Sequence, residues 1–165
     1  PLLHRVPCCG FLFREKPSLP HIKREMIDFY KIPHYAINSI KQGADWTTPE
    51  GDIIPNHRLV FAGDAPRSYA YCSDTAYNPS LCETLKGVNL LYHEATFAED
   101  MAERARLVGH STARQAAQIA RAAEVGKLLL GHFSARYEDE TILLQEAQEV
   151  FPNAILAHEG LCISL

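Results

Sequence analysis

The sequence predicts an α/β fold, and three observations predict it. From residue 88 onward, strand-sized apolar runs alternate with amphipathic helical runs, the pattern of helices packed on a sheet. The longest apolar runs, LLYH, KLLLGHF and AILAH, have the length of buried strands and are too short for a membrane helix. After Gly109, Ala113, Ala116, Ala117 and Ala120 form a narrow stripe of small residues that suits a helix lying close on a sheet.

The elements follow in order. Leu2–Val6 and Phe11–Arg14 read as two short strands parted by Pro7 and Gly10. Ile22, Met26, Ile27 and Tyr30 recur at helical spacing, which predicts a helix over His21–Tyr30. Residues 32–56 carry prolines, glycines and the single Trp46 without a period, and read as a loop or an arm leaving the body. Arg58–Ala62 and Ser68–Ser73 flank GDAPR and look like a hairpin. A short helix starts at Pro79, with Asn78 as its cap and Gly87 as its stop. Val88–Tyr92 is a strand, Ala98–Leu107 a charged helix, and Ser111 or Thr112 caps the next helix. Lys127–Phe133 is a buried strand and Thr141–Phe151 an amphipathic helix; Ala154–His158 and Leu161–Leu165 finish as strands.

Composition sets the outer limits. The 165 residues are 47% hydrophobic, enough for one domain with a sizeable core. A net charge of −4 with 22% charged residues argues against disorder and against a strongly basic nucleic-acid binder. Five cysteines without C-x-x-C spacing make a disulfide framework a poor fit, and a reducing cytoplasm is the expected compartment. The chain opens on Pro1, and LLHRV reads as the middle of a strand, so a longer parent chain is expected.

Chemistry gathers where predicted strands end. Asp74 follows the aromatic run YAYCS, and His132 closes KLLLG. Imidazole nitrogen and carboxylate oxygen both suit a metal such as zinc, although a lone strand-end histidine is more often structural. His110 sits at a helix start; it is an acid/base, an anion contact helped by the N–H groups of Ser111 and Thr112, or an incidental residue of the cap. His93-Glu94 is either a second working pair or a satisfied buried one. His158-Glu159-Gly160 reads as a turn.

Taken together, LLHRVPCCGFLFRE, YCSDTAYNPSLCETLKGVNLLYHEATF, GHSTARQAA, LLLGHFSARY and FPNAILAHEGL resemble the ribonuclease Z family, the tRNA 3′-end processing endoribonucleases of the metallo-β-lactamase superfamily. The resemblance implies an αβ/βα sandwich of which residues 1–165 supply about the C-terminal half, with 32–56 an excursion. It implies His4, Asp74 and His132 as metal ligands, with Asp74 bridging two zinc ions or, alternatively, manganese. His110 is implied as the proton donor to the leaving 3′-oxygen, Glu94 as the residue that polarises it, and Arg136 as a phosphate contact, beside the Ser111 and Thr112 contacts expected from the helix start. Precursor tRNA is the implied substrate and partner of a homodimer, which is expected in the cytoplasm and away from membranes.

Two departures stand out. The family's H-x-H-x-D-H signature is absent, so this chain alone is expected to be inactive. The Gly-Pro pair of the family's tRNA-clamping arm is also absent from 32–56, and the altered arm and the absent ligands each leave one other reading open. One is a hydrolase of small phosphodiesters; the other is a non-catalytic half-domain serving as an interaction module.

Overall fold

The computed structural model describes residues 1–165. They divide into two units, Pro1–Arg14 with Arg67–Leu165, and Glu15–Pro66. The first unit opens with β1 (Phe11–Arg14). The second holds β2 (His21–Ile22), α1 (Arg24–Phe29), α2 (His34–Lys41), β3 (Trp46–Thr47), β4 (Ile53–Ile54), α3 (Asn56–Leu59) and β5 (Val60–Phe61). The first unit then resumes with β6 (Ser68–Cys72), α4 (Leu81–Thr84) and β7 (Leu90–Glu94). A 3₁₀ turn at Glu99–Met101 leads into α5 (Ala102–Val108) and α6 (Ala113–Ala122). β8 (Lys127–Gly131), α7 (Thr141–Val150) and β9 (Ala154–Leu156) complete it.

Five strands form the main sheet in the order β1-β6-β7-β8-β9. β1 is antiparallel to β6, and every later pairing is parallel, as strand–helix–strand crossovers require. Register sorts the side chains into two rows. Leu12, Ala70, Leu91, Leu128 and Ala154 lie opposite one another on one face; Phe11, Tyr71, Tyr92, Leu129 and Ile155 lie on the other. Apart from Leu12, which is exposed at the sheet edge, the first row joins the core with Ala113, Ala116, Ala117, Ala120, Leu143 and Ala147 of α6 and α7. α6 is legible down to its start: Thr112 accepts from the Gln115 N–H while the Gln115 side chain accepts from the Thr112 N–H, a capping box.

Four expectations are corrected. Leu2–Val6 is not a strand: Pro7 has no N–H to offer a ladder, and only a bridge from Leu2 to Cys8 forms. Leu3 instead bonds the Thr75–Ala76 segment through both its N–H and its carbonyl. The 58–62 and 68–73 runs do not make a hairpin. Both edges of β6 are taken by β1 and β7, and β5 pairs with β2 inside the other unit. His21–Tyr30 is split into β2 and the shorter α1. Leu161–Leu165 finds no partner strand, although Leu161, Ile163 and Leu165 still line a hollow with Tyr69, Leu90 and Leu129.

Residues 32–56 belong to a wider, folded unit. Ile32, Ala36, Ile40, Ile54 and Leu59 make its core, and the Asn56 side-chain amide closes the end of α2 by donating to the Ile40 and Ala44 carbonyls. No helix of the chain is long and apolar enough to cross a membrane.

Candidate metal centre

In open α/β sheets, working groups collect beyond the carboxyl ends of parallel strands. Here three neighbouring strands end together: Asp74 follows β6, Glu94 closes β7, and His132 follows β8. His110 reaches the same place from the turn between α5 and α6. Gly109 makes that turn with φ of 81°, and its open side lets His4 approach: a Cβ there would lie 3.0 Å from His4 Nδ1.

Asp74, His110 and His132 converge, with one potential ligand atom from each lying within 4.8 Å of the others. Asp74 Oδ1 is 3.4 Å from His132 Nε2, and the His110 and His132 rings stack with centroids 5.2 Å apart. His132 has φ of 59°, a left-handed backbone that costs a residue with a Cβ about 1–3 kcal/mol and recurs at working sites. The Asp74 carboxylate and the His132 imidazole are donors that suit zinc and also accept manganese, and the His110 imidazole stands beside them.

Beneath the cluster, Glu94 is fully buried and accepts from five donors. Its Oε1 takes the Thr75 N–H (2.8 Å) and His110 Nδ1 (2.7 Å). Its Oε2 takes the Thr96 N–H (3.2 Å), the Thr96 hydroxyl (2.6 Å) and the Ser111 N–H (3.1 Å). A buried charge needs this saturation, since an unpaired one is strongly destabilising. Tyr92 runs under Gly131, where a Cβ would collide with its ring, and burial first of all pushes its phenol up to about 12.

The other expected residues divide. His4 stands beside His110, with ring centroids 4.9 Å apart, but lies outside the converging group; its Nδ1 is tied to the Gly109 carbonyl at 2.8 Å. Arg136 is exposed and lies over the Phe97 ring, which meets the His110 ring at 69°. Ser111 and Thr112 are not available to a substrate. Both are fully buried, the Ser111 hydroxyl donates to the Thr75 carbonyl, and the Thr112 hydroxyl donates to Glu99. His93 is no part of the cluster: it sits in the helix-facing core, its Nδ1 bonded to the Glu94 carbonyl and its Nε2 without a partner. The residue that sequence reasoning passed over is Thr96, which touches Glu94, His110 and His132 at once.

No family model matches the chain. Across all 165 residues it is 61% identical to ribonuclease Z of Bacteroides fragilis, covering 54% of that protein, and 50% identical to ribonuclease Z of Porphyromonas gingivalis, again covering 54%. The chain is a homologue of ribonuclease Z. It spans about half the length of the curated relatives it matches. Among solved structures, the metallo-β-lactamase fold protein YhfI from Bacillus subtilis superposes with a TM-score of 0.54 at 28% identity, over 58% of this chain and 39% of that one. The ribonuclease Z homologue described here therefore has the α/β architecture of part of a metallo-β-lactamase fold.

Proposed function

We propose that this homologue is part of a metal-dependent endoribonuclease that removes the 3′ trailer of precursor tRNA. The observation that carries the reading is the convergence of Asp74, His110 and His132 above the buried Glu94 carboxylate. The ribonuclease Z relatives, identical at half or more of the aligned positions, support the choice of substrate.

In this reading Asp74 and His132 hold the metal and His4 completes a site with ligands from the rest of the longer protein. Two zinc ions, or manganese in their place, would supply Lewis acidity at the phosphoryl group and a more acidic water. As water adds to phosphorus and the bond from phosphorus to the 3′-oxygen breaks, His110, held through Nδ1 by Glu94, gives its proton to that leaving oxygen, and the proton lost by the water goes to a base in the rest of the longer protein. Arg136, exposed beside the cluster, contacts a phosphate. The 165 residues alone do not hydrolyse RNA, and the aromatic face of the sheet receives the remaining layer of the sandwich. The working form is a homodimer in the cytoplasm; five free thiols are compatible with a reducing compartment.

Two variants of the longer protein test the assignment. Asp74→Ala should lose metal by elemental analysis and, with it, precursor-tRNA cleavage; full metal occupancy would remove Asp74 from the ligands. His110→Ala should keep its metal and slow the chemical step by about 10²–10⁴-fold in single-turnover assays. The loss should be much larger on precursor tRNA than on a small chromogenic phosphodiester, whose acidic phenol leaves without needing a proton.

A further inference from the structure

We propose that Thr96 is a positioning residue: its hydroxyl holds the His132 imidazole in the tautomer that carries the proton on Nδ1, leaving the Nε2 lone pair directed toward Asp74. The role in metal binding rests on the metal-site reading above; the tautomer does not.

A threonine hydroxyl has one proton to donate and lone pairs with which to accept. At 2.6 Å from Glu94 Oε2, the Thr96 hydroxyl is at the short distance typical of an O–H donating to a carboxylate. Glu94 already accepts from the Thr75, Thr96 and Ser111 N–H groups, so its oxygens act as acceptors throughout. The one hydroxyl proton is therefore committed to Glu94. Toward His132 Nδ1, 2.9 Å away, Thr96 can only accept, and Nδ1 must bear the hydrogen. Nε2 is then the basic nitrogen, and it is the atom 3.4 Å from Asp74 Oδ1.

The same carboxylate sets His110 directly, with Nδ1 2.7 Å from Oε1. Both imidazoles thus hang from Glu94, one by contact and one through a hydroxyl. His132 needs the second link more than most residues would. Its side chain is 46% exposed, its backbone is left-handed, and Thr96 is the only partner of its Nδ1. Threonine suits the task better than serine because its β-branch restricts χ1, which keeps the hydroxyl between Glu94 and His132. Outer partners of this kind fix the tautomer of ligating histidines, and their loss typically weakens metal binding 10–100-fold.

The experiment uses the full-length protein that contains this chain, metal-free and then titrated with Zn²⁺ against a chelator. In the metal-free parent, ¹⁵N–¹H spectra of the imidazoles should show His132 protonated on Nδ1. A parent His132 protonated on Nε2 overturns the proposal without any variant. Thr96→Val, which keeps the shape and removes the hydroxyl, should move the His132 proton toward Nε2 and weaken zinc binding about 10–100-fold. Thr96→Ser should restore the tautomer and stay within a few-fold of the parent. A Thr96→Val protein with parental tautomer and affinity overturns the proposal. If the parent itself binds no zinc, the metal reading falls, while the tautomer spectra still decide whether Thr96 positions His132.

Discussion

The two faces of the main sheet are made by the same strands and are built differently. On the helix side, the row Leu12–Ala70–Leu91–Leu128–Ala154 is closed by α6 and α7, and its last four members are at most 1% exposed. On the other side, Phe11 is 55% exposed, and Tyr71, Tyr92, Leu129 and Ile155 are only partly covered. The residue types differ accordingly. Alanines on sheet and helix let the two layers approach closely. On the opposite face, large rings cover one another, as Tyr71 does Tyr92 at 4.7 Å between centroids and Phe13 does Tyr69 at 6.1 Å. Parallel strands are normally covered on both faces. One face is therefore a finished interior, while the other has interior chemistry and a surface's exposure.

The sharpest way to break this distinction is a pair of neighbours that point to opposite faces. Leu128→Ala, on the closed face, should lower the unfolding free energy by about 2–5 kcal/mol in urea titrations. Leu129→Ala should cost under about 1 kcal/mol in the 165-residue chain and considerably more in the longer protein, once the second face is covered. Equal losses at the two positions in the 165-residue chain would erase the difference between the faces.

A smaller effect concerns a polar group trapped on the closed side. Burial holds the His93 pKa below its ordinary value of 6.5. The unfolded chain therefore takes up the proton first as pH falls. The stability linked to neutral His93 is present above about pH 6.5 and is lost as pH drops below it. His93→Leu should flatten that acid limb of a stability–pH curve, and an unchanged slope would remove His93 as its source. Smallest of all is the coupling between the stacked rings of the open face. A double-mutant cycle with Tyr71→Leu and Tyr92→Leu should return about 0.5–1.5 kcal/mol.

Much of the closed face could be read before any coordinates. A cap at Ser111 or Thr112 announces the start of α6, its alanines recur at helical spacing, and β7 and β8 carry apolar runs. Asp74, Glu94, His110 and His132 were also legible, each lying where an apolar strand ends or a helix begins. Thr96 was not, because its role exists only where residues 94, 110 and 132 meet in space. Ser111 and Thr112 looked available because a helix start usually faces solvent. Here the surrounding Thr75, Glu94 and Glu99 bury them and take their hydrogen bonds. Helix α2 was hidden by its His, Tyr, Asn and Ser residues, which favour helix weakly; packing of Ala36 and Ile40 decides it instead.

Glu94 has a consequence for motion as well as chemistry. The amides of Thr75, Thr96 and Ser111 come from three separated stretches of chain and share one acceptor. None of those stretches can swing away without leaving a carboxylate under-solvated in the interior, so opening one raises the free energy of the other two. Hydrogen exchange at these three amides should therefore proceed through a single shared opening, with one protection factor and one denaturant dependence. Loops at the mouth of a sheet commonly breathe independently; here one buried side chain makes three of them a single moving part.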